Sequence, residues 1–387
     1  MFPKTPRLSI CFVAQRAFGA LSGIDIGHAG GVERQQAMMA RWLARDGHGV
    51  SMVTWDYGQN DGEPIDKVSV YKMCGPGEGW RGLRFLHPRW TSLCKALRRA
   101  DAEIYFYNLG DMGLGQVAAW CRKNGRRIVY SVSSSPDCDP KLPVLKALRE
   151  RVLYRYGLRN VDRIVVQTET QRRMLKEGFG LPSTIIPMPC FAAPAEGAVE
   201  DGVDFRERAS VLWVGRISPE KRVEWVVDIA EACGDLQFDI VGEANSTSAY
   251  SRDVIRRATA VRNIVLHGRL PWEEVLRFYD RALCLLCTSA YEGFPNTFLE
   301  AWSRGLPVVS SLDPDGVIGH HNLGWVAGTA MGLSEEIKRL AGAPAEWLKA
   351  SQEARSYCLE RHSPESSMRR FEEILQDLAA EAGGNRA

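Results

Sequence analysis

The sequence predicts an α/β protein with two domains, each built around a parallel sheet. Strand-length apolar runs alternate with helical patterns along the whole chain, an order typical of right-handed βαβ crossovers. The 387 residues accommodate about two domains of ~150 residues each, and a hydrophobic content of 45% suffices for two cores. Function is expected at the carboxyl ends of the strands, where such sheets bind ligands.

The predicted strands form two sets of five. The first set is Leu8–Ala14, Val50–Thr54, Glu103–Tyr107, Arg127–Val132 and Arg163–Gln167. The second set is Val211–Val214, Phe238–Val241, Ile264–His267, Leu283–Cys287 and Pro307–Ser310, with helices near 222–232, 250–261, 272–280 and 296–304. We therefore expect two Rossmann-like, doubly wound domains that face one another across a central cleft.

A break in composition separates the two sets. Pro187, Pro189 and Pro194 precede an acidic, glycine-containing stretch at 195–204, which is typical of a linker. The expected domains are therefore residues 1–195 and 196–363. The last segment, Pro364–Glu381, is predicted to form an amphipathic helix that could pack on either domain.

The net charge of +2 hides an asymmetry between the two halves. Residues 1–195 contain 28 Lys and Arg against 17 Asp and Glu, whereas residues 196–387 contain 21 against 30. A basic first domain favours an anionic partner, such as a membrane surface, a phospholipid-linked substrate or nucleic acid. Nucleic acid is not expected, because no recognised motif accompanies the charge.

The cysteines and the amino terminus indicate the compartment. The apolar run Leu8–Ala14 is too short and too weakly flanked for a signal peptide or a membrane span. Ten cysteines without framework spacing suit a reducing compartment, so a cytoplasmic location is expected. Cys284 and Cys287 lie within an apolar strand run and are expected in the core, not at a zinc site.

Two carboxylates, Glu292 and Glu300, bracket a segment with the features of a binding site. Glu292 follows a predicted strand, and Glu300 should lie about one turn inside a helix of apolar residues. A buried carboxylate needs hydrogen-bond donors, and a diol could supply them, as acids hold ribose in dinucleotide folds. A structural ion pair is the alternative.

The residues between the two carboxylates predict a turn and a helix start. Gly293 and Pro295 force the turn, and Pro295 suits the first helical position. Either Asn296 or Thr297 can cap the helix.

A second motif places two cations near a predicted helix start. Gly215 and Arg216 follow a strand, Ser218 is a candidate cap, and Pro219 suits the first helical position. Arg216 and Lys221 would oppose the helix dipole, so the arrangement favours an anion between them, and a diphosphate fits. The alternative is a pair of solvated surface cations.

The first domain has its own glycine loop. Gly30 and Gly31 stand where a helix to about Ala44 is predicted to begin. Adjacent glycines could let the backbone approach a phosphate there, although a lone Gly-Gly is more often only a turn.

Together these motifs resemble those of the retaining glycosyltransferases of family 4, which have the two-domain GT-B fold. The motifs occur in the family's order and span nearly the whole chain, most densely in the second domain. They are Gly30-Gly31-Val32-Glu33, Val214-Gly215-Arg216 with Lys221, His267-Gly268-Arg269-Leu270, and Glu292–Ala301 followed by Gly305-Leu306-Pro307-Val308-Val309.

The resemblance implies a role for each matching residue. Arg216 and Lys221 would bind the diphosphate of a nucleotide-sugar donor, Glu300 its ribose and Glu292 the transferred sugar, so Arg216, Lys221 and Glu292 are the expected catalytic residues. The last helix, near 364–382, would pack back on the first domain. The remaining donor-binding residues implied are Gly30, Gly31, Gly215, Gly268, Arg269, Gly293, Phe294, Pro295, Asn296 and Thr297.

The first domain departs from the family pattern at one place. Many members carry a histidine after the fourth or fifth strand, where this chain has Ser133, Ser134 and Ser135. A serine can bind a hydroxyl but is no unaided general base. Ser133 and Ser134, with His28 in the glycine loop, are the candidate acceptor-side contacts.

No metal or other cofactor is expected. Asp137-Cys138-Asp139 and Asp313-Pro314-Asp315 have the spacing of a metal-binding Asp-x-Asp. Two acids at that spacing are common in loops, and a diphosphate served by Arg216, Lys221 and a helix dipole has less need of Mg²⁺.

Basic segments with aromatic residues point to the acceptor. They run from Trp80 to Arg99 and from Lys141 to Arg159, and such composition favours an anionic membrane surface. The hypothesis is a peripheral enzyme at the cytoplasmic membrane face that extends a glycan or a lipid-diphosphate-linked glycan in cell-surface polysaccharide synthesis. A solvated charged face is the alternative.

Two other functions fit the same fold. A sugar-nucleotide epimerase would also bind a nucleotide diphosphate but would act on the donor alone. A non-catalytic nucleotide-sugar-binding partner protein would keep the fold and lose the reactive side chains, whereas Arg216, Lys221, Glu292 and Glu300 are all present.

Overall fold

The computed structural model describes residues 6–27, 30–192, 205, 208, 210–244 and 247–384. The chain divides into two compact units. Unit 1 contains Met1–Ile186 and Met368–Ala387, and unit 2 contains Pro187–Ser367. The expected linker at 195–204 lies outside the described residues.

Strands occur throughout the described part of both units. Those of unit 1 are β1 (Ser9–Val13), β2 (Gly49–Thr54), β3 (Glu63–Ile65), β4 (Val68–Lys72), β5 (Ile104–Tyr107), β6 (Arg127–Ser131), β7 (Arg163–Val166) and β8 (Thr184–Ile185). Those of unit 2 are β9 (Ser210–Val214), β10 (Gln237–Val241), β11 (Ile264–Gly268), β12 (Ala282–Cys287), β13 (Val308–Ser310) and β14 (Gly324–Val326).

Helices connect most of these strands. The first seven are α1 (Phe18–Ser22), α2 (Gly31–Arg45), α3 (Thr91–Ala100), α4 (Gly113–Lys123), α5 (Leu148–Asn160), α6 (Glu169–Phe179) and α7 (Val223–Ala232). The others are α8 (Ala249–Ala260), α9 (Trp272–Arg281), α10 (Asn296–Ser303), α11 (Val317–His321), α12 (Ala330–Ala341), α13 (Pro344–His362) and α14 (Pro364–Gly384).

Unit 1 is built around a sheet of eight strands in the order β3-β4-β2-β1-β5-β6-β7-β8. All pairs are parallel except β3 with β4. The central strands are buried along nearly their whole length, because helices cover both faces of a parallel sheet. β2 lies on one side of β1 in the sheet and β5 lies on the other. The carboxyl ends of β1 and β5 therefore form a topological switch point.

The edge hairpin β3–β4 is not among the predicted strands. Asp66 and Lys67 turn the chain with φ of 48° and 68°, the left-handed backbone that a tight hairpin turn requires. Pro64 lies in β3, at the sheet edge where a missing amide donor is tolerated.

The last helix belongs to unit 1. Phe371 of α14 packs edge-on against Phe106 of β5, with ring centroids 5.2 Å apart. His48 accepts a hydrogen bond from the Leu8 amide at Nδ1 and contacts Glu372 at Nε2, 2.9 Å away. These contacts fix α14 on the sheet of unit 1.

Unit 2 is a six-stranded parallel sheet in the order β11-β10-β9-β12-β13-β14. β9 pairs with β10 on one side and β12 on the other, so its switch point lies at the carboxyl ends of β9 and β12. Cys284 and Cys287 are buried in β12, which confirms that they belong to the core.

The ten predicted strands and the two parallel α/β domains are confirmed. All ten cysteines are free thiols. Among the described helices, none has the length and apolar character needed to cross a membrane.

Candidate functional site

The predicted motifs of the second domain meet at the carboxyl edge of its sheet. Gly215 and Arg216 directly follow β9, Gly268 ends β11, and Glu292 lies in the loop after β12. Because these strands are parallel and close in the sheet, the motifs fall on one edge despite their distance in sequence.

Lys221 and Glu292 form an ion pair at this edge. The Lys221 Nζ contacts Glu292 Oε1, and Ser289 Oγ donates to the same oxygen over 2.7 Å. Both charged side chains are largely buried, at 23% and 19% exposure. The cation expected to bind diphosphate and the carboxylate expected to bind sugar therefore contact one another directly.

The turn that carries Lys221 differs from the prediction. Pro219–Lys221 is a single 3₁₀ turn, and α7 begins only after Arg222, whose φ of 47° interrupts the helical path. Ser218 does not cap a backbone amide, because its hydroxyl donates to Glu220 Oε1 over 2.7 Å. Pro219 is thus at the first position of this turn, and Lys221 precedes the helix.

Arg222 is a functional candidate that the sequence interpretation missed. Its guanidinium donates to the carbonyls of Thr288 and Ser289, each over 2.7 Å, and to Ser311 Oγ over 3.0 Å. It also lies over the Trp225 ring, 3.9 Å from the centroid. Arg222 therefore ties the Lys221 turn to the ends of β12 and β13.

Two further bonds connect the same segments. Thr288 Oγ1 donates to the Lys221 carbonyl over 2.6 Å, and the Ala290 amide donates to the Glu220 carbonyl over 2.8 Å. The ammonium of Lys221 is consequently held at a fixed position opposite Glu292.

Arg216 is the more exposed of the two candidate cations. Its side chain is 58% exposed, and its contact with Glu220 is long, at 3.7 Å. Such an exposed pair contributes little to stability, so Arg216 can turn towards an anion at low cost.

Glycines let the strand ends approach closely. A Cβ on Gly242 would lie 1.7 Å from the Gly215 carbonyl oxygen, so no side chain fits at Gly242. The Gly242 amide donates to Gly268, whose φ of 67° lies in the left-handed region. Gly242 was not among the predicted residues, and Arg269 is partly buried directly after Gly268.

The loop from Gly293 to Thr297 turns its aromatic residue inwards. Phe294 is 7% exposed and packs against Trp302 and His362, with centroids 6.0 and 5.0 Å away. Burial lowers the pKa of His362 to about 4, so this partner is neutral at physiological pH.

The predicted capping of this helix is wrong. α10 begins at Asn296, so Pro295 occupies the cap position and neither Asn296 nor Thr297 can cap the helix. The Asn296 Oδ1 is buried without a hydrogen-bond partner among the described residues.

Glu300 lies inside α10 and is 5% exposed. Tyr279 Oη donates to its Oε2 over 2.7 Å, and Trp272 Nε1 approaches Oε1 at 3.4 Å. The carboxyl group of Glu300 therefore lies next to hydroxyl and indole donors. It can accept further hydrogen bonds from a diol.

The glycine loop of unit 1 starts α2 as predicted, with Gly30 as the cap residue and Gly31 as the first helical residue. The Glu33 side chain folds back so far that a Cβ on Gly30 would lie 1.8 Å from its Oε2. A carboxylate thus occupies the helix start where a phosphate was expected. His28 lies outside the described residues.

Ser133 and Ser134 surround a buried carboxyl group. The Ser133 hydroxyl and the Ser134 amide both donate to Asp137 Oδ2, over 3.2 and 3.1 Å. Burial raises the pKa of Asp137 to about 6, although the hydrogen bonds from Ser133 and Ser134 lower it and nearby Asp111 raises it further. Asp137 is the titratable residue nearest in sequence to Ser133, Ser134 and Ser135, where many family members have a histidine.

The Asp-x-Asp carboxylates have backbone partners. Asp139 Oδ1 accepts the Lys141 amide, and Asp313 accepts the amides of Ile318 and Gly319. Among the described residues, one group has metal-ligand proximity, Asp46, His48 and Glu372. Both ring nitrogens of its histidine already have partners, the Leu8 amide and Glu372 of α14.

Family models match both halves of the chain. One, described as glycosyl transferases group 1, matches residues 208–342, and the other, a glycosyl transferase 4-like domain, matches residues 30–190. Together they span most of the chain and agree with the two motif sets.

Among curated proteins, the chain is similar to a lipopolysaccharide 1,6-galactosyltransferase of Salmonella typhimurium. The two are 36% identical over 115 residues, which is 27% of this chain and 31% of the relative. The match therefore spans about a third of the relative's length.

Solved structures share the fold of the whole chain. A sucrose-phosphate synthase from Thermosynechococcus elongatus has a TM-score of 0.77 and 18% identity, over 97% of this chain and all of that chain. WaaG, a glycosyltransferase involved in lipopolysaccharide biosynthesis, has a TM-score of 0.69 and 15% identity, over 95% and 99%. Both neighbours are GT-B proteins, so the predicted GT-B fold is confirmed. The chain belongs to the group 1 glycosyltransferases of the family 4-like type.

Proposed function

We propose that this protein transfers a sugar, with retention of its anomeric configuration, from a nucleotide-diphosphate sugar to a glycan or lipid-linked glycan. The observation that carries the proposal is the Lys221–Glu292 pair at the β9/β12 switch point, fixed by Arg222 and adjacent to Arg216. Cation and carboxylate are placed side by side, as a site for phosphate and sugar hydroxyls requires.

The cations act on the leaving group in this proposal. As the glycosidic bond to the diphosphate breaks, negative charge grows on the phosphate oxygens. Lys221, held by its turn, and Arg216, which can reorient, stabilise that charge. No metal is needed for this step, because the two cations supply the charge.

The other donor groups have separate tasks. Glu292 accepts hydrogen bonds from hydroxyls of the transferred sugar once the diphosphate competes for Lys221. Glu300 accepts those of the ribose, next to its donors Tyr279 and Trp272. The unpartnered Asn296 Oδ1 offers a further acceptor on the same loop.

The acceptor is proposed to be a glycan of cell-surface polysaccharide, carried on a lipid diphosphate at the cytoplasmic face of the membrane. The names of the lipopolysaccharide galactosyltransferase and WaaG support a glycan acceptor. Ser133 and Ser134 are proposed as its contacts in unit 1, next to Asp137.

A panel of sugar nucleotides tests the donor site. Thermal shift would identify the best binder, and transfer assays with that donor would follow. Conversion of the sugar nucleotide without any acceptor would favour an epimerase, and binding without turnover would favour a non-catalytic partner protein.

Two variants test the site assignment. Glu300→Ala and Lys221→Ala should each lower transfer strongly while the protein stays folded, as judged by circular dichroism. Near-normal transfer in both variants would refute the assignment of the donor site.

A further inference from the structure

Unit 1 has an exposed surface that combines apolar and basic side chains. Fourteen large apolar side chains are exposed among the described residues, and seven of them lie in two short segments. These are Trp80, Leu83 and Leu86 in the first segment, and Val144, Leu148, Val152 and Tyr156 in the second. Such concentration is unusual for a surface that faces only water.

The second segment presents a regular stripe along α5. Leu148, Val152 and Tyr156 are spaced four residues apart, which places them on one face of the helix. Their exposures are 76%, 55% and 39%. The stripe covers no core in unit 1, because the buried residues of α5 are Tyr154, Gly157 and Leu158 on another face.

The two segments form one continuous surface. The Arg149 guanidinium lies over the Phe85 ring, 4.9 Å from its centroid. Gln116 of the neighbouring α4 donates to the Phe85 carbonyl over 3.4 Å. We name residues 80–86 and 144–156 the apolar-basic surface.

The charge of this surface is strongly one-sided. Residues 80–99 contain six Lys and Arg and no Asp or Glu, and residues 141–159 contain six against one. That one acid, Glu150, accepts the Ala147 amide at the start of α5. Across the described residues, Arg81, Arg84 and Lys146 have no acidic side chain within ion-pair distance.

The surface begins at the carboxyl edge of the unit 1 sheet. The first segment follows β4 and the second follows β6, and both strands run parallel in the same sheet. Chain that leaves a parallel strand emerges at the carboxyl edge, where ligands bind. Both segments therefore begin on the same side of unit 1 as Ser133 and Asp137, and α5 runs back from there towards the start of β7.

We infer that the apolar-basic surface docks unit 1 on an anionic lipid bilayer, with Trp80 and Leu148 inserted at the interface and the arginines against lipid phosphates. Aromatic and aliphatic side chains next to cations are the combination that binds an interface, whereas cations alone would suffice for a soluble anion. The purpose of docking, delivery of a lipid-linked acceptor, rests on the proposed function. Docking itself does not require sugar transfer.

Vesicle flotation of the full chain tests this inference. Vesicles of phosphatidylcholine alone would be compared with vesicles that also contain about 30% phosphatidylglycerol, an anionic lipid. Binding should require the anionic lipid and should weaken when salt rises from about 0.05 M to about 0.5 M, because screening shortens the range of attraction. Equal binding to both vesicle types, or binding to neither, would overturn the inference.

Matched variants locate the surface. Leu148→Glu and Met331→Glu each place an acid in the first turn of a helix, at side chains that are 76% and 72% exposed. Glutamate is favourable at a helix start, so both variants should fold normally. Leu148→Glu, in unit 1, should lower vesicle binding roughly tenfold, and Met331→Glu, in unit 2, should leave it unchanged.

Charge variants give an independent measure. Replacing Arg81 and Arg84 by Gln removes two exposed cations, each of which contributes roughly a fivefold gain in partitioning near an anionic surface. If Leu148→Glu or the double Gln variant binds as tightly as the parent chain, the surface is not the docking site. If Leu148→Glu instead converts a dimer to a monomer in light scattering, the surface is a protein interface and the inference fails.

Failure of docking and failure of the proposed function are distinguishable. Loss of vesicle binding with intact sugar-nucleotide binding would leave the donor site standing. Intact vesicle binding with no response to any sugar nucleotide would refute the proposed function and leave docking standing.

Discussion

The carboxyl edges of the two sheets differ in how their charges are held. In unit 2, Lys221 is paired with Glu292, and Arg222 bonds the adjoining strand ends. In unit 1, the carboxyl of Asp137 lies among hydroxyl and amide donors, and its pKa is raised to about 6 by burial. The edge of unit 2 is built around charged side chains, whereas the edge of unit 1 is built around a carboxyl group that can gain a proton.

This difference explains why short motifs point to one half of the proposed function more clearly than to the other. A preassembled pair of opposite charges requires particular residue types at fixed spacing, so a motif can record it. A buried carboxyl surrounded by local hydrogen bonds can arise from many sequences. The proposed donor side is therefore more readily recognised in the sequence than the proposed acceptor side.

The largest effect should come from breaking the charge pair of unit 2. Lys221→Met removes a cation proposed to face the leaving group, and loss of such a group lowers the rate by about 10²–10³-fold. Steady-state transfer with the best donor of the panel would measure it. Lys72→Met is the control, because Lys72 pairs with Asp56 in unit 1 at similar exposure, 32% and 34%.

The control variant should transfer sugar at the parent rate. If Lys72→Met is as damaging as Lys221→Met, the loss reflects general destabilisation and not the leaving group.

The next effect should come from Arg222→Gly. It removes the bonds to Thr288, Ser289 and Ser311, and loosening the position of Lys221 should lower kcat/KM about 10–100-fold. Stability should fall as well, because three bonds from a charged donor are lost, and glycine offsets part of that loss by relieving the strain of φ 47°. Kinetics and urea unfolding together would separate the two effects.

Asn322→Gly is a matched control for the backbone. Asn322 also has a positive φ, 54°, in unit 2, but it ends α11. This variant should keep full activity. Full activity in Arg222→Gly as well would show that the bonds of Arg222 do not position Lys221.

A smaller effect concerns the carboxylate of α10. Tyr279→Phe removes the hydroxyl that donates to buried Glu300 and should lower the free energy of unfolding by about 1–3 kcal/mol, because a charged acceptor loses its donor. Ser334→Ala, in the same unit, removes a buried hydroxyl that donates to the neutral Met331 carbonyl and should cost less. Equal losses in urea unfolding would show that the bond to Glu300 contributes no more than a bond to a neutral carbonyl.

The smallest effect should appear at the edge of unit 1 and depend on pH. The pKa of Asp137 is raised from 3.8 to about 6, so the folded state holds the proton more tightly than the unfolded state. Stability from this group is fully present below about pH 4 and is lost as pH rises through about 6. Asp137→Asn should therefore stabilise the protein by about 1–2 kcal/mol at pH 8 and by little at pH 4.

Urea unfolding at several pH values checks this prediction. A gain in Asp137→Asn that is the same at every pH would mean that Asp137 does not titrate in this range.

Sequence alone was most informative where both faces of a strand are buried. All six residues of β12 are buried, and such strands appear as continuous apolar runs. The short edge strands were missed, since β3 contains Pro64 and β8 has only two residues. An exposed edge needs no continuous apolar pattern.

The same limit applies to the site. The charges of Arg216, Lys221, Glu292 and Glu300 stand out because their chemistry is local to short motifs. Arg222 was not recognised, because its partners lie 66 to 89 residues away in sequence. Two of these partners are backbone carbonyls, which any residue type can supply. The cap at Pro295 was mistaken because tertiary packing of Phe294 decides where α10 begins.

The position of α14 affects how the protein is made. The core of unit 1 includes Phe106 packed on Phe371, yet the whole of unit 2 is synthesised between these two residues. On the ribosome, unit 2 can fold as a continuous stretch of chain, whereas the earlier unit 1 must wait for its last helix with Phe106 and neighbouring strands incompletely covered. The first unit to be translated is thus the last to be completed, and during that interval it is the unit most exposed to aggregation or to chaperones.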